Sequence, residues 1–308
     1  IEGLSSSYLR RMGKGTTTIQ NLQAMKTCME LGLFHSGNLL IGFPSATAAE
    51  VAETRRVIET HAACYQPLNV STFRLRPGST VALLPEEFQV RGVRNHEWYR
   101  SVLPAGAWRR LRLPLQSWEP AGEAPDWDGV VYALRDWYRL HLALGPPELA
   151  AGKAGRASGG RVADPDESLL QCCREIDRMN YVLREGSRRL LPLYYQDGGD
   201  FLRVVDNRRW PREGKSRVIM LREDLRELYL FALEIRRLDT IRTRFASGGA
   251  GAAGRVRRDL EDLEALGILY REGEQCLSLA VAESPQGAAR RIRESMRTSG
   301  GVAAVGGD

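Results

Sequence analysis

The first forty-four residues constrain the fold of this chain more than any other stretch. The opening residues read as the end of a strand, and a short helix and a longer helix follow. Asn38–Phe43 is a short apolar run closed by Pro44, so we expect a buried strand there. Strands separated by helices in this way are typical of parallel α/β folds.

Capping residues mark where the helices of this region begin. Thr17 with Gln20, and Thr47 with Glu50, have the spacing of a capping box, in which each side chain accepts a backbone N–H bond. Ser5–Ser7 predict the cap of the first, shorter helix. Three glycines are expected to end the first two helices: Gly13, Gly15 and Gly32. The third helix should run to about residue 63.

The middle of the chain is rich in proline and tryptophan. The β-rich run Asn69–Leu75 predicts a strand that Arg76-Pro77-Gly78 ends. Six prolines between residues 77 and 125 exclude long regular elements except around Asn95–Val102. We interpret the three tryptophans there as packing an irregular wrap against the core, with substrate stacking as the alternative. An amphipathic helix is expected from Trp127 to Leu144.

The second half begins with a change in composition. Residues 145–166 are rich in Gly, Ala and Pro, which predicts a mobile linker, and a helix should follow over residues 167–184. Arg189–Gln196 and Asp200–Val205 alternate and flank Asp197-Gly198-Gly199. This predicts a β-hairpin, because Asp-Gly supplies the positive φ angles of a tight turn.

The remaining elements are a strand, three helices and a terminal hairpin. They are expected at Arg217–Leu221, Leu225–Ile235, Asp239–Phe245, Val256–Leu266 and Ile268–Ala280. Asp239 should cap the second of these helices, and Ser247–Gly254 should form a flexible break. Three strands, three helices and a wing resemble a winged-helix module. The order also resembles the small peptide-recognition elements of peptide-modifying pathways.

The opening stretch resembles a known family. The segments IEGLSSSYLRRMGKG, QNLQAMK, ELG and GNLLIGFP resemble the later half of the core domain of radical S-adenosylmethionine enzymes. They look most like the cobalamin-dependent C-methyltransferases that mature ribosomally made peptides, and the resemblance is specific over residues 1 to about 60. Three positions depart from the pattern: Gly3 stands where serine is usual, Gly37 where tryptophan is usual, and Ser45-Ala46 where glycine–glutamate is usual.

The resemblance implies an α/β fold class: a partial radical SAM (β/α) barrel, last strands only, followed by an α+β winged-helix-like C-terminal domain. The expected divisions are the barrel part at 1–80, an irregular wrap and helix at 81–144, the linker at 145–166, the winged-helix-like or peptide-recognition-like domain at 167–282, and a disordered tail at 283–308. Two strands and the end of a third do not close a barrel, so their edges would be open unless another chain completes them.

The cysteines decide what this chain can do alone. Radical S-adenosylmethionine enzymes hold a 4Fe-4S cluster with a Cys-x-x-x-Cys-x-x-Cys loop, and no three cysteines here have that spacing. The five are Cys28, Cys64, Cys172, Cys173 and Cys276. We therefore interpret the chain as a C-terminal fragment that is inactive alone, whose cobalamin domain and cluster loop lie upstream of residue 1 or have been lost. S-adenosylmethionine, the cluster and cobalamin are implied only for the full-length family.

By resemblance, five residues contact the cofactor: Glu2, Asn38, Gly42, Phe43 and Pro44. The Glu2 carboxylate can accept hydrogen bonds from the ammonium or ribose hydroxyls of S-adenosylmethionine; a strand-end acid facing water is the alternative. Asn38 lies in an apolar run and needs a partner, either cofactor or backbone. Gly42 permits close approach of a ligand, and Phe43 either contacts it or packs. No catalytic residue and no metal ligand can be nominated.

Composition and charge give limited information about partners. The net charge is +6, but it comes from 40 Arg and 4 Lys interleaved with acids, so the net charge does not identify a partner. Scattered cysteines, no secretory signal and no long apolar run indicate a cytoplasmic protein without a membrane span. We expect a precursor peptide, leader or core, and the missing N-terminal half as partners. We do not expect nucleic acid, because Asp259–Glu264 places acids directly after Arg255–Arg258.

Two functions follow. The first is part of a radical SAM enzyme of ribosomal peptide maturation that methylates carbon atoms of a precursor peptide with cobalamin. The alternative is a non-catalytic module that binds a leader peptide by adding it as a strand to the edge of the strands within Arg189–Leu221.

Overall fold

The computed structural model describes residues 1–145, 171–176, 179, 190–246 and 250–284. The predicted linker beyond Gly145, most of the helix predicted to follow it, and the tail beyond Ser284 lie outside these residues. Residues 171–176 are helical, as predicted. Within the described ranges, no helix combines the length and apolar character that crossing a membrane requires.

The N-terminal part forms a parallel strand–helix–strand unit. Its elements are α1 (Ser6–Arg11), α2 (Thr18–Glu30), β1 (Asn38–Ile41), α3 (Ala48–Thr60) and β2 (Asn69–Thr72). β1 and β2 pair in parallel, with Asn38 opposite Asn69. The N–H of Leu40 donates to the carbonyl of Glu2 at 3.0 Å. The opening residues therefore run beside β1, although they form a single ladder bond there rather than a full strand.

The capping residues predicted for α1, α2 and α3 are confirmed. Thr17 and Gln20 form a complete capping box at the start of α2, and Thr47 and Glu50 form another at the start of α3. The hydroxyl of Ser5 accepts the N–H of Tyr8 at the start of α1. The three glycines expected to end the first two helices have positive φ: Gly13, Gly15 and Gly32.

Short elements fill the proline-rich middle. They are α4 (Thr80–Leu83), β3 (Val90–Asn95), α5 (Ala105–Arg110) and β4 (Gln116–Pro120), and α6 (Asp128–Ala143) follows. β3 and β4 pair antiparallel with a bulge between Arg91 and Arg94, a pairing that the sequence did not predict. Around Asn95–Val102, where a longer element was allowed, the chain forms only a five-residue 3₁₀ helix, Glu97–Ser101.

The C-terminal part contains two sheets and three longer helices. Its elements are β5 (Leu193–Asp197), β6 (Phe201–Asp206), α7 (Trp210–Glu213), β7 (Arg217–Arg222), α8 (Glu223–Phe231), β8 (Arg236–Arg237), α9 (Leu238–Phe245), α10 (Ala250–Ala265), β9 (Leu269–Glu272), β10 (Gln275–Ser278) and β11 (Val281–Ala282). The strand orders are β11-β5-β6-β7 and β8-β10-β9. Both predicted hairpins, β5–β6 and β9–β10, are confirmed.

Two local predictions in this part were wrong. Asp239 lies inside the first turn of α9, and Arg237 occupies the cap position; the Asp239 carboxylate accepts hydrogen bonds from the side chain of Arg237 and the N–H of Thr240. The expected break at Ser247–Gly254 is helical from Ala250 onward. Each glycine in this turn costs the helix about 1 kcal/mol. Burial of Ala252 in the same turn stabilises the helix and opposes that cost.

Buried polar contacts join the N-terminal and C-terminal parts. The ammonium of Lys26 in α2, whose side chain is almost fully buried, donates to the carbonyls of Leu233 and Ser278 at 2.7 Å each. The hydroxyl of Tyr65 donates to the carbonyl of Leu279 at 2.9 Å. Glu272 accepts the N–H of Ile19 at 2.9 Å. The two parts share one continuous hydrophobic core.

His61 is a titratable group within this junction. Its ring is buried and packs edge-on against Tyr270 of β9, with ring centroids 4.8 Å apart. The Thr60 hydroxyl lies 2.6 Å from its Nδ1. Burial, and then the charges of Arg56 and Arg208, lower the pKa of His61 to about 3. The imidazole is therefore neutral in the folded protein at any ordinary pH.

Lys26→Met should lower the free energy of unfolding by about 2 kcal/mol, because it leaves two buried carbonyls without their donor. Urea denaturation followed by circular dichroism measures the change. The control is Lys14→Met, which removes an ion pair with Glu2 between half-exposed side chains and should cost less than about 1 kcal/mol. Equal losses in the two variants would contradict the structural role of Lys26.

The free energy of unfolding should fall as the pH is lowered from about 6.5 towards 3, because His61 takes up a proton only when unfolded. His61 alone can change the free energy of unfolding by at most about 1.4 kcal/mol per pH unit. His61→Phe and His61→Gln should both flatten the dependence between pH 6.5 and 5, measured by urea denaturation at each pH. An undiminished slope in both variants would show that His61 is protonated in the folded state.

Candidate functional site

The chain makes a tight turn at the carboxyl end of β1, where the resemblance places the cofactor. Gly42 and Ser45 both adopt left-handed backbone conformations, with φ of 69° and 61°. Glycine adopts this conformation without strain, whereas serine does not. An added Cβ at Gly42 would make an ordinary contact with its nearest neighbour, Thr72 Cγ2, at 3.7 Å, so no atom crowds this position.

Phe43 belongs to an aromatic cluster beneath this turn. Its ring packs edge-on against Tyr8, Phe73 and Phe88, with centroids 6.3, 5.0 and 5.7 Å apart. Phe43 and Pro44 are both buried. Packing, the second of the two interpretations offered for Phe43, therefore describes its side chain in this structure.

Glu2 and Asn38 lie away from the turn. Glu2 runs beside the middle of β1, and its half-exposed carboxylate forms an ion pair with Lys14. Asn38 is exposed at the amino end of β1, about 13 Å from Gly42 at the strand rise of roughly 3.3 Å per residue. The structure thus brings Gly42, Phe43 and Pro44 together and spreads the other two predicted residues along the strand.

Residues that the sequence analysis did not assign to the site support the turn. The Tyr8 hydroxyl donates to the carbonyl of Leu40 at 3.0 Å. Arg11 donates two hydrogen bonds to the buried carboxylate of Glu50, from Nε at 3.1 Å and Nη2 at 3.0 Å. Burial opposes ionisation of Glu50, but the hydrogen bonds from Arg11 and Thr47 outweigh it and hold the pKa of Glu50 below its usual value. A fixed, ionised Glu50 therefore ties α1 to the start of α3.

The residues present do not fit an iron–sulfur cluster. Across the described ranges, no three His, Cys, Asp or Glu side chains are grouped so that they could hold a metal ion. Cys64 and Cys276 are buried, and burial raises the pKa of these thiols to about 11 and about 12. Thiolates are the cluster ligands, and these environments disfavour them.

A second surface is the edge of β7. Within the described part of the chain β7 pairs with β6 alone, so its outer row of N–H and C=O groups faces no strand. Val218 and Met220 on β7 are 46 % and 44 % exposed. Open edge strands with exposed apolar side chains are templates for pairing with another chain.

Helix α10 runs alongside this edge in the opposite direction. Arg217, at the start of β7, donates to the carbonyl of Leu266 just beyond the end of α10, at 3.4 Å. Arg255, near the start of α10, forms an ion pair with Asp224 just after the end of β7, at 3.4 Å. These two contacts place the ends of α10 near the ends of β7.

Comparison with known proteins gives one short similarity. A curated protein of Pyrococcus horikoshii, described as an uncharacterized methyltransferase, is 43 % identical over 54 residues. The match covers 18 % of this chain and only 12 % of the length of that protein. No protein-family model matches the sequence. No solved structure matches it significantly. The relationship is thus methyltransferase-like over a small part of the chain.

Proposed function

We propose that this chain belongs to a methyltransferase that uses S-adenosylmethionine, and that residues 1–75 help to hold this cofactor. The observation that carries the proposal is the 43 % identity over 54 residues with a protein described as a methyltransferase. The parallel β1–β2 unit, whose carboxyl end has an uncrowded glycine at Gly42, is consistent with it. Ligands of parallel sheets bind at the carboxyl ends of the strands.

The finer proposal is a cobalamin-dependent radical enzyme that methylates carbon atoms of a ribosomally made precursor peptide. Its support is the motif from Ile1 to Pro44, together with a fold in which β1 and β2 would be the last strands of a (β/α) barrel. Because the cysteines do not fit a cluster, we assign this chain only cofactor positioning and peptide binding. Its contribution is to orient bound groups and to exclude water.

Each predicted residue has a distinct part in this proposal. The Glu2 carboxylate, half-exposed beside β1, would accept hydrogen bonds from the ammonium of S-adenosylmethionine. The Gly42 backbone would allow close contact with the ligand. Phe43 and Pro44 would fix the turn through the aromatic cluster beneath it. Asn38, exposed on β1, would bond a polar group at the far end of the ligand.

Glu2→Gln should weaken S-adenosylmethionine binding by about tenfold or more, because a charge-assisted hydrogen bond is typically worth about 1.5–3 kcal/mol. Titration with S-adenosylmethionine, followed through the backbone amide signals of residues 38–44, measures binding without requiring turnover. Lys14→Gln is the matched control, since both variants break the Lys14–Glu2 ion pair and only one removes the carboxylate. Amide signals unmoved at millimolar S-adenosylmethionine would refute the proposal.

The second candidate function is a module that binds the leader peptide. The observation that favours it is the unpaired edge of β7, with α10 held near both ends of that strand. An extended peptide can add a strand to such an edge through backbone hydrogen bonds, with side chains reaching the helix. The exposed Val218 and Met220 provide apolar contacts for alternate residues of the peptide.

The order of elements supports a winged-helix-like interpretation of this part. From α8 the chain runs helix, short strand, two helices and a hairpin, and β8 pairs with the second strand of that hairpin, β10. Modules of this type use a helix and an adjoining strand as a recognition surface. We propose the edge of β7 beside α10 as that surface here, with peptide rather than DNA as its ligand.

Met220→Lys should weaken peptide binding by about tenfold, because a charge at the strand edge opposes pairing of another strand. Peptides selected from a random display library against this chain serve as ligands, with fluorescence anisotropy for affinity and amide shifts for location. Val93→Lys, at an equally exposed site in β3, is the control and should bind normally. Selected peptides that shift no amide of β7 would rule this function out.

A further inference from the structure

A large cleft lies between the N-terminal helices and the segment that joins β6 to β7. Its volume is about 960 Å³, and α3 and α6 form one wall. The opposite wall is formed by residues 206–217 and the end of α10. Pockets that bind organic ligands have volumes of roughly 300–1,000 Å³, so this cleft is large enough for one.

Arginine dominates the polar lining. Six arginines line the cleft against three acids, Glu59, Asp136 and Asp206, so the side chains there carry a net charge of +3. The six are Arg55, Arg139, Arg208, Arg209, Arg212 and Arg217. Arg55, Arg139 and Arg208 are paired with lining acids, at 2.8, 3.7 and 2.6 Å.

Arg208 forms a fixed part of the floor. It donates to both carboxylate oxygens of Asp206, to the carbonyl of Thr60 at 2.9 Å and to the carbonyl of Gly267 at 3.0 Å. Burial opposes its charge, but Asp206 and the neighbouring Cys64 raise the pKa of Arg208 above its ordinary value. These bonds join α3, β6 and the end of α10, so the floor of the cleft is held in place.

Arg212 and Arg217 differ from Arg208. Both are exposed, and within the described residues no carboxylate lies at salt-bridge distance from either. Arg217 donates only a long bond, 3.4 Å, to the carbonyl of Leu266. Their guanidinium groups therefore remain available to a ligand, and guanidinium binds phosphate and carboxylate through paired N–H donors.

Apolar side chains complete the lining. Tyr132, Ala133 and Leu140 of α6 contribute them on one wall, and Pro211 and Leu266 contribute them on the opposite wall. Tyr132 and Leu140 are half-buried, so each offers part of its surface to the cleft. A cleft lined by guanidinium groups and apolar side chains fits a ligand that has both an anionic group and an apolar body.

We propose that this cleft binds a small organic anion, a phosphate or sulfonate ester with an aromatic or aliphatic body. Arg212 and Arg217 bind the anionic group, and Tyr132 and Leu140 pack against the body. Arg208 acts as a positioning residue that holds the two walls together. This inference does not depend on the proposed methyltransferase function, because none of the predicted cofactor residues lines the cleft.

The probe is 1-naphthyl phosphate, with inorganic phosphate and 1-naphthol as separate comparison ligands. Isothermal titration calorimetry should show naphthyl phosphate binding at least about tenfold more tightly than either comparison ligand. Inorganic phosphate can bind only the arginines, and 1-naphthol can contact only the apolar side chains. The affinity should fall with added salt, because exposed charge pairs are screened. Arg212→Gln with Arg217→Gln should weaken naphthyl phosphate binding by about tenfold or more.

Arg91→Gln with Arg110→Gln is the matched control, since it removes the same charge from exposed positions that do not line the cleft. It should change the affinity less than about twofold, which separates a site from general attraction to a basic protein. Tyr132→Ala should lower the ratio of the affinity for naphthyl phosphate to the affinity for inorganic phosphate, because it removes a contact with the naphthyl ring only. Equal losses in the two double variants, or no preference for naphthyl phosphate, would overturn the proposal.

Discussion

The buried ammonium of Lys26 is the constraint on which the arrangement of the two parts depends. It reaches from the second helix of the chain to carbonyls 207 and 252 residues further on. An ammonium removed from water is costly unless hydrogen bonds compensate it. Leu233 and Ser278 provide that compensation only when the C-terminal part sits against α2. Lys26 thereby selects one docking arrangement among those that hydrophobic burial alone would allow.

Arg208 has the same role at the other side of the junction, and its consequence is the cleft. One guanidinium group joins Asp206 at the end of β6, Thr60 at the end of α3 and Gly267 beyond α10. The floor formed in this way holds α3 and α6 apart from the β6–β7 segment without filling the space between them. A contact that stabilises the junction therefore also shapes the arginine-lined cleft.

Local signals were sufficient for much of the fold. The capping boxes at Thr17 and Thr47 located α2 and α3, and the Asp197 turn located the β5–β6 hairpin, because neighbouring residues encode these features. The pairings of β3 with β4 and of β8 with β10 could not be predicted, since they join residues distant in sequence. The same holds for the site: Gly42 and its turn followed from the sequence, whereas the arginine cleft did not, because its walls come from four separate segments.

The positions that depart from the pattern the sequence resembles show how this chain accommodates its own residues. At Gly37, where that pattern has tryptophan, an added Cβ would lie 2.6 Å from Leu68 Cδ2, so the Leu68 side chain would have to shift. At Gly3, where serine is usual, a Cβ would meet Leu9 at 3.1 Å. Ser45, by contrast, stands where that pattern has glycine, and it still has a φ of 61°. The turn thus keeps the backbone conformation suited to glycine at a cost of about 1 kcal/mol, which the packing of Phe43 against its three aromatic neighbours offsets.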